Sequence, residues 1–159
     1  LLAPLLAAPA ARVVTVTSPM HRVGRIDFGN LQREHSYTPW RAYGQSKLAN
    51  LLFARSLARR FAGTTRTANA VHPGVIATNL MRHMNPLARA VMPIGEAIAL
   101  KTTGQGAATQ CYVAVHPATA AISGAYFADC NVARTSAAGR DLELAEKLWT
   151  FTEEAVAKL

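Results

Sequence analysis

Tyr43 and Lys47 lie four residues apart in the run Arg41-Ala-Tyr-Gly-Gln-Ser-Lys-Leu-Ala-Asn50, at the head of a helical pattern. In a helix that spacing is just over one turn, so the phenol and the ammonium share a face. A cation beside a phenol favours the phenolate. A phenol tuned in this way exchanges a proton with a carbonyl or an alcohol near neutral pH. Taken singly the pair is a weak signal. Chance supplies about 0.1 such pairs in a chain of this composition, and a surface tyrosine beside a solvated lysine is the ordinary explanation.

The surrounding elements decide what the pair can do. Residues 12–17, Arg-Val-Val-Thr-Val-Thr, form a nearly continuous β-branched run that suits a strand buried on both faces of a parallel sheet. Ser18-Pro19 leaves that strand, and a polar, turn-rich loop follows to about Pro39. From Trp40 to Phe61 apolar residues repeat at threes and fours, and Gly63 is a stop signal. Residues 67–72, Thr-Ala-Asn-Ala-Val-His, read as a second strand, cut off by Pro73-Gly74. Strand, helix, strand within some sixty residues predicts a βαβ unit and an α/β fold.

Farther on, Pro86 and Pro93 divide 80–100 into short helices or a mobile flap over the substrate, with Met81, Met84 and Met92. Gly104-Gln-Gly106-Ala-Ala-Thr109 imitates a phosphate loop, but no β-branched strand precedes it, so it reads as the start of a helix over 107–115. Residues 122–127 predict a third strand. Residues 141–158 predict a closing amphipathic helix with Leu144, Leu148, Phe151 and Val156 inward. With no repeat or linker, residues 1–159 are expected to form a single domain.

Three chemistry-bearing groups fall at one edge of such a sheet. Ser18 follows the first strand, Tyr43 and Lys47 open the next helix, and Pro73-Gly-Val-Ile-Ala-Thr78 follows the second strand. Ligands of open α/β sheets bind outside the carboxyl ends of the strands. Each group has a bland explanation by itself: a turn serine before Pro19, a strand-ending Pro-Gly, and a helix cap at Thr78. His72 reads as a strand-end histidine, and the remaining histidines have no metal-ligand spacing.

Taken together and in order, Val14-Thr-Val-Thr-Ser18, Tyr43-Gly-Gln-Ser-Lys47 and His72-Pro-Gly-Val-Ile-Ala-Thr-Asn79 resemble the short-chain dehydrogenase/reductase family. The runs 41–53, 72–80, 105–112 and Tyr126-Phe-Ala-Asp-Cys-Asn131 are similar to its retinol-dehydrogenase-like branch, which includes a chloroplast import-associated dehydrogenase. The resemblance implies an NAD(P)-dependent oxidoreductase, of short-chain dehydrogenase type, interconverting an alcohol and an aldehyde or ketone. In it Tyr43 is the general acid/base. Lys47 lowers the Tyr43 pKa and holds the nicotinamide ribose, and Ser18 holds the substrate oxygen. Thr17 is the alternative hydroxyl. Pro73, Gly74, Val75 and Thr78, with Tyr43 and Lys47, contact the cofactor, with NADP expected ahead of NAD. The substrate is expected to be a hydrophobic alcohol or carbonyl.

The family's glycine-rich turn, Thr-Gly-x-x-x-Gly-x-Gly, does not occur in the sequence, nor does its Asn-Asn-Ala-Gly strand end. The chain thus reads as the carboxyl-terminal half of such an enzyme. The expected fold is a partial Rossmann-type, doubly wound parallel sheet of about three strands with flanking helices, lacking the N-terminal mononucleotide-binding half. The isolated chain is then expected to hold cofactor poorly and to be inactive. A non-catalytic scaffold that keeps the dehydrogenase fold is the alternative, and a homo-oligomer is an option for the full-length parent.

Composition limits the other classes. Half of the residues are hydrophobic and 16% are charged, which suits a globular chain. The net charge of +8 would admit an anionic partner, but the basic residues are scattered and no nucleic-acid-binding signature accompanies them, so no nucleic acid is expected. Cys111 and Cys130 lack metal-type spacing and read as buried free thiols of a reducing, cytoplasmic compartment, with an organelle as the other option. The apolar opening 1–11 is too short to span a bilayer and carries two prolines, so no transmembrane span is expected.

Overall fold

The structure is a computed structural model that describes residues 7–32, 34–74 and 101–158. Its elements run β1 (Arg12–Val16), α1 (Pro39–Arg60), β2 (Thr67–His72), α2 (Thr103–Val115), β3 (Tyr126–Ala128), β4 (Asn131–Val132) and α3 (Leu142–Val156). Single 3₁₀ turns lie at Pro19–Arg22, Pro117–Thr119 and Ala138–Arg140. The sheet order is β1-β2-β3-β4; the first three strands are parallel and β4 is antiparallel to β3.

Strand alternation explains the layering. Ala70 and Tyr126, register partners on β2 and β3, pack against Leu51 and Ala54 of α1. Their chain neighbours Val71 and Phe127 pack against Val113 of α2. Successive side chains of a strand point to opposite faces, so α1 and α2 cover opposite sides of the sheet. This is the doubly wound arrangement expected of the βαβ pattern. A third layer forms where Ala145 and Leu148 of α3 meet Leu48 and Leu52 of α1. The first five residues of β2 are buried, and its two alanines, Ala68 and Ala70, share the face that α1 covers.

The helix ends follow their local chemistry. Pro39 sits in the first turn of α1, where a missing N–H costs nothing. Arg59 and Arg60 complement the dipole at its other end, and Gly63 follows with a φ of +78°. Thr102 and Gln105 form a reciprocal capping box on α2, so the glycine-rich run 104–109 is indeed a helix start.

Several expectations need correction. The third strand begins at Tyr126 rather than 122, because Gly124, at a φ of +77°, and the Asn69 side chain hold the preceding segment against β2. Asn69 donates to Ile122 O at 2.6 Å and accepts from Ala125 N at 2.9 Å, substituting for ladder bonds. A fourth strand exists because Asp129 and Cys130 both adopt positive φ, 51° and 59°, in a tight hairpin. On α3, Leu148 is buried and Leu144 partly so, but Phe151 and Val156 are exposed. Cys130 is half-buried, whereas Cys111 is exposed; it lies on α2 between the inward-facing Thr109 and Val113, on the opposite side of the helix. Among the described residues no helix is long and apolar enough to cross a membrane.

Candidate active site

The site is built where β1 and β2 end. Thr17 N donates to Val71 O at 2.8 Å, extending the ladder one residue beyond β1. Ser18 then leaves the sheet with extended backbone and caps the turn Pro19–Arg22. Its Oγ accepts from Met20 N at 3.3 Å, which leaves the hydroxyl proton available to donate. His21 fixes the same turn from below. It is fully buried, and its Nδ1 lies 2.7 Å from Ser18 O. A carbonyl only accepts, so Nδ1 carries the proton, and Nε2 is buried without a partner among the described residues. Burial is the largest cause that pushes the His21 pKa down, with Arg22 and Arg55 adding to it against the Ser18 hydrogen bond.

Tyr43 and Lys47 stand in the first turns of α1, on one face as their spacing requires. The Lys47 Nζ lies 5.3 Å from the centroid of the Tyr43 ring. Tyr43 is 37% exposed, so its phenol is reachable from solvent. Lys47 makes no ion pair among the described residues.

Three contacts fix this helix relative to Ser18. Thr17 Oγ1 donates to Lys47 O at 2.6 Å. Asn50 Nδ2 donates to Val16 O at 2.9 Å. Gly24 lies directly on Gly44: a Cβ at Gly24 would stand 2.2 Å from Gly44 O, a backbone atom that cannot yield. Gln45 adds a loop anchor, accepting from Asp27 N at 3.1 Å and donating to Leu31 O at 3.3 Å. Thr17 itself is buried and its hydroxyl is committed to Lys47, so the accessible hydroxyl at this edge belongs to Ser18.

At the end of β2, His72 Nδ1 accepts from Gly74 N at 3.3 Å. Burial pushes the His72 pKa down, opposed by Asp129. Gly74 has a φ of +90°, and the Lys101 side chain runs through the space a Cβ would need. Lys101 pairs with Asp129 and holds its carboxyl below the usual range, mainly through their hydrogen bond. Val75, Thr78 and the expected flap 80–100 lie outside the described residues. Tyr43 and Lys47, with Pro73 and Gly74 at the neighbouring strand end, present a reachable phenol, an ammonium without an ion pair among the described residues, and a glycine at the end of β2. That donor set fits the nicotinamide end of a dinucleotide. The adenosine and pyrophosphate end has no glycine-rich turn to receive it in this sequence.

No family model matches the chain. Individual relatives do. Mouse retinol dehydrogenase 14 is 40% identical over 161 residues, which is 100% of this chain and 48% of the relative. Short-chain dehydrogenase TIC 32 A, chloroplastic, of Brassica napus is 43% identical over 153 residues, 93% of this chain and 48% of the relative. A crystal structure of a Mycobacterium paratuberculosis protein superposes with a TM-score of 0.66 at 33% identity, covering 90% of this chain and 49% of that one. The chain belongs to the short-chain dehydrogenase/reductase family. It spans about half the length of the curated relatives it matches. The fold is likewise that of the angucycline C-6 ketoreductase LanV, solved with bound NADP, at a TM-score of 0.54 and 21% identity over 76% of this chain.

Among short-chain dehydrogenases/reductases the Ser-Tyr-Lys pattern is what the sequence offers to the eye. Asn50 and His21, and the tethering role of Thr17, which place that pattern here, are not marked in the sequence. Their bonds go to backbone carbonyls, and a carbonyl leaves no trace in residue identity.

Proposed function

We propose that this chain supplies the proton-transfer half of a nicotinamide-dependent oxidoreductase interconverting an alcohol and an aldehyde or ketone. The observation that carries the reading is the Thr17–Lys47 hydrogen bond. It ties the residue before Ser18 to the lysine of the Tyr43/Lys47 pair, so hydroxyl, phenol and ammonium share one edge.

In carbonyl reduction, Ser18 Oγ–H and Tyr43 Oη–H both donate to the substrate oxygen. Tyr43 gives up its proton to that oxygen as negative charge develops there. The Lys47 ammonium stabilises the phenolate left behind, and solvent at the exposed ring returns the proton. The bound nicotinamide, NADP or NAD, supplies the hydride. Lys47 would also offer N–H donors to the adjoining ribose, and Pro73 and Gly74, with Val75 and Thr78 next in the sequence, would be the residues to hold the nicotinamide. Relatives named retinol dehydrogenases support a hydrophobic, retinoid-like substrate.

The test joins residues 1–159 to the amino-terminal half of mouse retinol dehydrogenase 14 and follows NADPH-dependent reduction of retinal. Tyr43→Phe should lower kcat by about 10²- to 10⁴-fold. A Tyr43→Phe fusion with undiminished turnover would refute the assignment. The 159-residue chain alone should show no turnover, and activity without the joined half would overturn the division of labour.

A further inference from the structure

A second candidate site lies on the side of α1 that faces the 3₁₀ turn Ala138–Arg140, next to the turn Pro19–Arg22 that Ser18 caps. Arg22 Nη2 donates to Arg134 O at 3.2 Å, and Arg140 Nη1 donates to Thr135 O at 2.5 Å. Two guanidinium groups are thereby fastened to consecutive carbonyls. Beneath them stands Arg55, half-buried on α1 one turn after Leu51. Leu51 packs directly on Gly139, next to Arg140: a Cβ at Gly139 would lie 2.6 Å from Leu51 Cδ2.

The charges in this cluster are not balanced. Among the described residues the only ion pairs are Arg60–Glu146 and Lys101–Asp129, and neither involves the cluster. Asp141, adjacent in sequence, is engaged in capping α3, its Oδ1 accepting from Leu144 N at 2.9 Å. Arg55 Nε and Thr135 Oγ1 are both buried without a partner among the described residues. Burial, and then Arg140, pushes the Arg55 pKa down, so the two cations feel each other. Like charges converge at a cost, and unused donors beside them add to it. An oxyanion removes both costs, because a guanidinium fork matches its geometry.

We propose that Arg55 and Arg140, flanked by Arg22, form a binding site for a phosphate-type dianion.

The probe is inorganic phosphate, titrated into the 159-residue chain at constant ionic strength against chloride, with thermal unfolding and calorimetry as readouts. Saturable binding is expected. The double variant Arg55→Gln/Arg140→Gln should weaken it at least tenfold. The control Arg59→Gln/Lys158→Gln removes the same charge elsewhere and should leave it unchanged. Equal losses in both doubles would overturn the proposal in favour of diffuse attraction to a +8 chain, as would binding that never saturates. If the first double fails to fold, the Arg Nε–Hε NMR resonances of the unmutated chain decide. Saturable shifts confined to the cluster arginines support the site, and shifts spread over all arginines refute it.

Discussion

Thr17→Val isolates the bond that joins the two halves of the proposed chemistry. Valine has nearly the shape of threonine, so the substitution removes a hydroxyl without opening a cavity. Thr17 is 2% exposed and its Oγ1 donates to Lys47 O at 2.6 Å. Lys47 lies inside α1, so its carbonyl keeps the helical bond from Leu51 N and is not orphaned. The cost is therefore about 1 kcal/mol, the net worth of a hydrogen bond, rather than the larger penalty of an unsatisfied group. In a chain of this size that corresponds to a Tm lower by about 2–4 °C. The functional cost should be larger in proportion. Without the tether, Asn50 and the glycine contact remain to hold Ser18 against the Tyr43/Lys47 face, and a small displacement of a reacting group is expensive. In the fusion with the retinol dehydrogenase half, kcat should fall about tenfold, while Thr17→Ser, which keeps the hydroxyl, should restore most of it. Urea unfolding followed by Trp149 fluorescence and retinal reduction read the two effects. If Thr17→Ser is as impaired as Thr17→Val, the hydroxyl is not the operative group and the reasoning fails.

Asn69→Ala should cost about 3 kcal/mol, since it leaves Ile122 O and Ala125 N unpaired and opens a void at a fully enclosed position; a urea midpoint within error of the parent would contradict this. His21 and His72 are both held below their ordinary value of 6.5 in the folded chain, so the unfolded chain binds more protons below that pH. Stability should therefore be full above about pH 6.5 and fall as the pH drops toward their folded values, ahead of any loss from Asp129 and Glu146, whose carboxyls titrate below 4.5. An unchanged urea midpoint between pH 7 and the upper end of the carboxylate range would refute it. Among the described residues β1 pairs on one side only, and Val16 on it is 42% exposed. Val16→Lys should slow concentration-dependent light scattering without lowering the unfolding midpoint.

What the sequence made legible was whatever periodicity encodes. The β-branched run 12–17, the leucine spacing of α1 and the break at Pro73-Gly74 located β1, α1 and β2 to within a residue or two. The hairpin at Asp129–Cys130 was invisible, because neither residue is the glycine or asparagine that usually marks positive φ. Asn69 misled in the opposite sense. A polar residue inside a buried strand gives no hint that its side chain will do the work of a ladder and delay β3. The exposure of Phe151 and Val156 on α3 has another cause. An apolar stripe predicts which face turns inward, but α1 is met by Ala145, Leu148 and Trp149 of α3, whereas Phe151 reaches only the edge of Phe28 in the loop before α1.

The same distinction governs the site. A four-residue spacing places Tyr43 and Lys47 on one helix face whatever the tertiary structure, so that part is fixed by local geometry. The distance from that face to Ser18 is not local. It depends on how far the helix start can sink against the turn after β1, which the Gly24–Gly44 contact sets, and on where along its axis the helix stops sliding. The axial position is set by Thr17 on Lys47 O and by Asn50 on Val16 O, one bond in each direction between strand end and helix. Because Asn50 and Lys47 are three residues apart on the same helix face, the two bonds resist rotation as well as sliding. A chain that kept Ser18, Tyr43 and Lys47 but lost these partners would still show the motif and would no longer hold its groups together.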